Sequence, residues 1–460
     1  MGPTFLLLLA VAGPDAHCAA LAGLKPPGVT VLAAEPVSGR FAAPDGAAVE
    51  VVPACRVSGI AAPAPGSRIG FEIWLPRQGW NGRYVQLGSG GFGGNVHYPS
   101  LAAEAARGNA VGASDSGHRA NAFDARWAAR NKAAVEDYGY RSIKATSDAA
   151  ASLIAGYYGR KPSWRYFAGC SNGGRQALMA AQRYPDDWDG ILAGAPPARW
   201  THQLETFAAL QHGLRSARGG WIPPQLLPAI QRAALAACPA GSVKAGVALA
   251  PLSCRLDPRR LLCRGAGRAD CLTAAQIGSL RRIVAAGYQP TSAASPDGWA
   301  QWIVNPDPAA PSQRAFALQA QRFLFADRAA LWLRRTLDAD ALDFTRFRAR
   351  GGRILSYFGW ADPLISPRDG ADYYRRVAAR NGGGPTRDFY RLFMVPGMTH
   401  CQGGIGPVNF GQSLTAPAAR PDPAHDVRRA LEDWVEHGVA PEALIAADPA
   451  TSAERRLSPL

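Results

Sequence analysis

The sequence predicts an α/β fold in which a mostly parallel sheet is interrupted by a mainly helical insertion. Three observations point to it. Short apolar strands alternate with helical segments between about residues 68 and 197, the alternation resumes at Arg353, and the stretch 199–345 turns to amphipathic helices and loops. With 460 residues and 47% hydrophobic composition, the chain can bury a large core and still carry that insertion as a lid.

In chain order, the apolar run 5–12 ends in Ala10-Val11-Ala12, so residues 1–16 are expected to be a secretory leader, although the usual basic start is missing. The run is too short to cross a bilayer, and Leu6 stands where myristoylation needs Ser or Thr. The first part of the α/β domain, 17–198, holds strands at 69–75, 84–87, 110–112, 165–168 and 191–193, with a helix from about 137 to 158. The lid, 199–345, contains four cysteines and tryptophans 200, 221, 299, 302 and 332. The second part, 346–460, supplies strands at 353–358 and 389–395 and a helix near 426–436, and the tail beyond Ala447 reads as frayed.

The formal net charge is +15, yet the basic residues are scattered and almost all arginine, with lysine only at 25, 132, 144, 161 and 244. Without a block of like charges, the excess argues for solubility rather than a nucleic-acid surface. No long apolar stretch predicts a membrane partner. Cysteines 18, 55, 170, 238, 254, 263, 271 and 401 form an even set with neither a Cys-x-x-Cys pair nor a zinc pattern. In an exported protein disulfides are the expected reading, and counting alone leaves their pairing open.

The chemistry lies in the run Tyr166-Phe167-Ala168-Gly169-Cys170-Ser171-Asn172-Gly173-Gly174. An apolar strand leads into a Gly-x-Ser-x-Gly turn and a helix-compatible segment beginning at Arg175 follows, which is the context of a nucleophile elbow. Glycines 169 and 173 let strand and helix approach around a strained serine. A serine hydroxyl is a weak nucleophile until a base oriented by a carboxylate takes its proton. In the α/β-hydrolase arrangement those partners follow as Asp and then His, each just past a strand end. The strand at 353–358 leads to Asp362 in Gly359-Trp360-Ala361-Asp362-Pro363, and that at 389–395 leads to His400 in Pro396-Gly397-Met398-Thr399-His400-Cys401. Histidines 17, 97, 118, 202, 212, 425 and 437 lie outside those positions and are read as structural or solvated. Because Cys170 precedes the serine and Cys401 follows the histidine, a bridge between them would clamp nucleophile and base together.

These motifs resemble the tannase and feruloyl esterase family, α/β-hydrolases marked by a Cys-Ser/Asp/His-Cys triad whose disulfide joins the neighbours of serine and histidine. Other stretches with the family's look are Trp80-Asn81-Gly82-Arg83, Gly88-Ser89-Gly90-Gly91-Phe92, Asp115-Ser116-Gly117-His118 and 347–352, and the likeness covers most of 50–440. The resemblance implies an α/β-hydrolase fold with a helical lid, Ser171 as nucleophile, His400 as general base and Asp362 as its orienter. It implies an oxyanion hole made by the backbone N–H of Asn172 and that of Gly90 or Gly91. A phosphate cradle is the other reading of this glycine loop, but no Gly-Lys-Ser/Thr follows. The resemblance further implies the bridges Cys170–Cys401, Cys18–Cys55, Cys238–Cys254 and Cys263–Cys271.

Relatives carry aspartates for a structural calcium in the lid segment after the counterpart of Cys238. Here residues 238–248 include no carboxylate and do include Lys244, so no metal or other cofactor is expected. The expected function is a secreted or periplasmic serine esterase acting on a small-molecule ester of an aromatic acid, such as a ferulate or gallate. Lid tryptophans, Phe323 or Phe325 are candidates for the acyl pocket and Arg322 or Arg314 for a substrate carboxylate, although most lid aromatics are expected to pack its core. An esterase for hydroxyalkanoate oligomers or lactones, and a non-catalytic binding protein on the same fold, stand beside this reading.

Overall fold

The computed structural model describes residues 14–216, 218–265, 270–326 and 328–460. Of residues 1–16, read as a leader, 1–13 lie outside the described residues and 14–16 open a short helix, Pro14–Ala20. One nine-stranded sheet is built from β1 (Val29–Ala42), β2 (Ala48–Ala61), β3 (Ile69–Pro76), β4 (Arg83–Leu87), β5 (Ala110–Ser114), β6 (Trp164–Cys170), β7 (Gly190–Gly194), β8 (Arg353–Gly359) and β9 (Tyr390–Val395). Its spatial order is β1-β2-β3-β5-β4-β6-β7-β8-β9. From β5 to β9 every neighbouring pair is parallel, whereas β1, β2 and β3 join antiparallel.

The hairpin β1–β2 is absent from the sequence expectation. Pro36 and Gly39 in β1, and Pro53 and Gly59 in β2, interrupt the alternation that marks a strand. As the edge strand, β1 tolerates them: its register shifts between Val31 and Ala33 and again between Val37 and Gly39, and much of it faces solvent.

Helices cover both faces. In chain order they include α1 (Ser142–Tyr158), α2 (Asn172–Arg183), α3 (Trp200–Ser216), α4 (Ala274–Ala285), α5 (Gln313–Gln319), α6 (Pro367–Asn381) and α7 (Val427–His437). Alternate residues of a strand feed opposite cores. Tyr84 packs with Leu153 of α1 and Leu178 of α2, while its neighbour Val85 packs with Leu431 and Trp434 of α7. Asp426 caps α7 by accepting the Arg428 N–H at 2.9 Å, which explains the abrupt helix start.

Between β7 and β8 the chain forms helices, turns and one short hairpin, Val243–Lys244 with Val247–Ala248. This insertion has its own apolar core, in which Ile230, Leu280, Ile283 and Trp299 are buried together. The tail after Ala447, expected to fray, is instead ordered. Glu454–Leu457 pairs antiparallel with Leu444–Ala447, Leu457 is buried, and Leu460 N–H donates to Leu392 O of β9 at 2.8 Å. A short alternating segment next to polar turn residues gave no strand signal, and the neighbouring sheet edge supplies its partners.

Candidate active site

Parallel α/β sheets present ligands at the carboxyl ends of their strands. Four such ends converge here: β4 runs into Gly88, β6 into Ser171, β8 into Asp362 and β9 into His400. At the end of β6, Ser171 has φ 61° and ψ −128°, a conformation that costs an L-residue on the order of 1–3 kcal/mol. Close packing fixes it. A Cβ at Gly169 would stand 2.6 Å from the Gly173 carbonyl carbon, and one at Gly174 would stand 2.2 Å from Gly194 O. Gly173, the other glycine expected to matter, is tight at 3.2 Å from Gly88 C. The Ser171 N–H donates to Gly194 O at 2.9 Å, tying the turn to β7.

Asp362 is buried, and its two carboxylate oxygens have separate tasks. Oδ1 accepts the N–H groups of Leu364 and Ile365, each at 2.9 Å, and Oδ2 lies 2.8 Å from His400 Nδ1. This contact fixes the imidazole tautomer with hydrogen on Nδ1, leaving Nε2 as the basic nitrogen. The insertion braces the aspartate loop: Gln313 donates to Pro363 O at 2.8 Å and Tyr288 donates to Leu364 O at 3.0 Å. Burial, with the Asp362 charge, pushes the Tyr288 hydroxyl well above its ordinary range, so it stays a donor.

A disulfide joins Cys170 to Cys401 across 231 residues of sequence, with the Cα atoms 5.9 Å apart. It places the residue after one cysteine, Ser171, and the residue before the other, His400, on adjoining turns. The remaining bridges are Cys18–Cys55, Cys238–Cys254 and Cys263–Cys271. Beside the elbow, the backbone N–H groups of Asn172, Gly90 and Gly91 donate to no protein acceptor among the described residues. They are available to a developing oxyanion.

One cavity borders the histidine and another lies against the insertion. One, of about 530 Å³, is lined by His400, Trp302, Gln301, Gln402, Asn409 and Gln412. The other, of about 620 Å³, lies against Ala122 and Phe123 and is lined from the insertion by Leu318, Arg322 and Phe323. Trp302 lines the first: its ring meets the His400 ring edge-on at 6.4 Å and stacks toward Phe123 at 6.4 Å.

The family model described as tannase and feruloyl esterase matches residues 55–309 and 312–459. The chain belongs to that family. An uncharacterised esterase of Xanthomonas campestris pv. campestris is 39% identical, with 97% of this chain and 88% of the relative covered. A probable feruloyl esterase B-2 of Aspergillus terreus is 30% identical over 84% of this chain and 77% of its own length. The crystal structure of feruloyl esterase B from Aspergillus oryzae superposes with a TM-score of 0.87 at 25% identity, covering 97% and 96% of the two chains. This member of the tannase and feruloyl esterase family is a carboxylic ester hydrolase on an α/β-hydrolase fold.

Of the esterase's lid residues singled out from the sequence, Trp302, Phe323 and Arg322 face the cavities, whereas Phe325 packs at the edge of the main core and Arg314 donates to Pro306 O. Trp200 and Trp299 are buried core residues, Trp221 donates to Val304 O, and Trp332 lies under Lys132. Phe123 and Tyr138 escaped the sequence reading. Phe123 lies in irregular backbone, and Tyr138, whose hydroxyl donates to Gly91 O at 2.9 Å, reads in sequence as an ordinary residue at the start of the expected helix.

Proposed function

We propose that this esterase cleaves esters of aromatic, phenolic acids through a serine acyl-enzyme. The observation that carries the proposal is the cavity of about 620 Å³ walled by Phe123, Phe323 and Leu318, joined to the glycine loop through Ala122, whose O accepts the Phe92 N–H, with Arg322 and the Arg126–Asp124 ion pair in its lining. Aromatic walls suit a flat acyl ring, and guanidinium groups suit phenolic or carboxylate oxygens. The relatives named as feruloyl esterases support the same substrate class.

In the proposed reaction, Ser171 Oγ attacks the ester carbonyl carbon while His400 Nε2 takes its proton. The carbonyl oxygen becomes an oxyanion facing the N–H groups of Asn172 and of Gly90 or Gly91. On collapse the ester C–O bond breaks, and His400 returns the proton to the leaving alkoxide. Because the histidine protonates the alcohol, that product departs by the amide-lined cavity at His400. A water molecule, deprotonated by His400, then attacks the acyl carbonyl and releases the acid. Asp362 holds the imidazolium through its contact with Nδ1.

The four disulfides favour an oxidising compartment, and we place the working enzyme in the periplasm or outside the cell. The loop closed by Cys238–Cys254 contains no carboxylate and is held by its hairpin and by the Ser242 hydroxyl donating to Pro239 O at 2.6 Å. These groups do not suit a calcium ion, which takes several oxygen ligands including carboxylates. Among the described residues no helix is long and apolar enough to cross a membrane.

The test is turnover of methyl ferulate, methyl gallate and p-nitrophenyl butyrate by the oxidised protein and its Ser171→Ala variant. Serine-dependent turnover of a phenolic ester well above the butyrate is expected. Turnover of the butyrate alone moves the substrate to another acyl class, and no turnover with intact folding returns the binding-protein reading.

A further inference from the structure

Behind the nucleophile elbow lies a cation that no carboxylate among the described residues meets in a hydrogen bond or ion pair. Arg175, one turn into α2, is completely buried, and its hydrogen bonds go to neutral acceptors. Nε donates to Asn172 Oδ1 at 2.8 Å, Nη1 to Gly139 O at 3.0 Å and Leu337 O at 2.9 Å, and Nη2 to Tyr138 O at 3.1 Å. Two of those carbonyls belong to the π-wound segment Asp137–Arg141, and the guanidinium also sits 4.9 Å from the Tyr138 ring centroid. Burying a charge without a counter-ion costs several kcal/mol.

The hydrogen-bond chain shows what the charge faces. Arginine has donors only, so the Asn172 atom toward it is oxygen and the Asn172 NH₂ points the other way. That NH₂ donates to Ser89 O at 3.1 Å. The Ser89–Gly90 peptide is trans, so holding its carbonyl on Asn172 turns the Gly90 N–H to the opposite side. Asn172 therefore gives one free backbone N–H itself and orients a second through its side chain. Each link withdraws electron density toward the buried cation, and hydrogen bonds in such a chain polarise one another.

We propose that Arg175 is a positioning residue of the oxyanion hole, fixing and polarising the Gly90 N–H through Asn172 and the Ser89–Gly90 peptide. It selects Gly90 over Gly91 as the second donor. Asp338 acts on the guanidinium only through space, so its hydrogen bonds remain with neutral groups that lead to the oxyanion site. The inference rests on Ser171 being the nucleophile, and labelling of the wild-type protein at Ser171 by a fluorophosphonate checks that reading separately.

The experiment compares wild type, Arg175→Gln, Arg175→Lys and Asn172→Ala, the last retaining the backbone N–H. Steady-state turnover of p-nitrophenyl butyrate is measured with the affinity of a trifluoromethyl ketone carrying the best substrate's acyl group, which forms an oxyanion on the serine, and that of the product acid, which does not. Removing an oxyanion donor outright costs about 10²–10³-fold, and an indirect partner less, so Arg175→Gln is expected to lose roughly 10- to 100-fold in kcat and in ketone affinity. KM and product-acid affinity should stay within about twofold, Arg175→Lys should recover part of the loss, Asn172→Ala should match Arg175→Gln, and the double variant Asn172→Ala/Arg175→Gln should lose no more than either alone. Unchanged ketone affinity in Arg175→Gln overturns the proposal, and so does equal loss of ketone and product-acid affinity, the mark of a merely structural role. If the arginine variants do not fold, Asn172→Ala decides alone: full kcat and ketone affinity there overturns the proposal.

Discussion

Asp362 holds His400 with one carboxylate oxygen and its own loop with the other. Oδ2 meets Nδ1 at 2.8 Å while Oδ1 takes two backbone N–H groups at 2.9 Å. An asparagine would keep Oδ1 on the backbone donors and present an NH₂ to Nδ1. The ring would then carry its proton on Nε2 and be unable to accept one from Ser171. Asp362→Asn is expected to fold normally and to lose roughly 10⁴-fold in kcat with KM little changed. Steady-state kinetics beside a thermal melt checks this, and a loss under tenfold would remove the aspartate from its proposed role.

Trp302 lines the cavity at His400 and stacks toward Phe123, which lines the other cavity. It offers an aromatic face to a ring bound beside Phe123, a contact worth about 0.5–1.5 kcal/mol beyond area burial. Trp302→Ala is therefore expected to lower kcat/KM for methyl ferulate about tenfold and for p-nitrophenyl butyrate much less. Equal losses on both esters would show that the ring positions the histidine rather than the acyl group.

The Cys170–Cys401 bridge closes a loop whose entropy is worth on the order of 5 kcal/mol, against about 3 kcal/mol for the 16-residue separation of Cys238–Cys254. The two double serine variants should accordingly both melt lower, by a few degrees. Only Cys170→Ser/Cys401→Ser is expected to abolish turnover at temperatures where the protein remains folded, because only that bridge fixes the turns bearing Ser171 and His400. Full activity in that variant would reduce the bridge to a stabilising link.

Strand ends carried most of the site into the sequence. Gly169-Cys170-Ser171, Asp362 and His400 each follow a short apolar run, and apolar runs are legible because burial on both faces of a parallel sheet demands them. What stayed hidden depends on contacts between distant segments. Arg175 reads as an ordinary helix residue until the carbonyls of Tyr138, Gly139 and Leu337 are folded around it. The edge hairpin β1–β2 and the pairing of Glu454–Leu457 are set by partners rather than by their own composition.

Because the loop between Cys238 and Cys254 lacks carboxylates, neither EDTA nor added calcium is expected to shift Tm or activity. Differential scanning calorimetry of the oxidised protein in both conditions measures it. A calcium-dependent rise in Tm that EDTA reverses would mean that backbone carbonyls alone suffice, or that a site lies elsewhere.

Asp115 supports the glycine loop from below, its backbone O accepting the Gly94 N–H at 3.1 Å and its Oδ1 accepting the N–H groups of Gly70 and Gly117. Burial pushes its carboxyl up to about 6, against the lowering effect of those donors and of Arg119 and Arg68. A carboxyl whose pKa is higher in the folded chain than in the unfolded one, near 3.9, binds its proton more tightly when folded. Its contribution to stability is thus complete below about pH 4 and is lost as pH rises through about 6. An asparagine keeps the Oδ1 acceptor and never ionises. Relative to wild type, Asp115→Asn should gain on the order of 2 kcal/mol between pH 4 and pH 7, or about 2–3 °C in Tm for a chain of this length. Melts of both proteins across that range test it, and a Tm difference that stays flat with pH, or falls, would show that folding does not raise the Asp115 pKa.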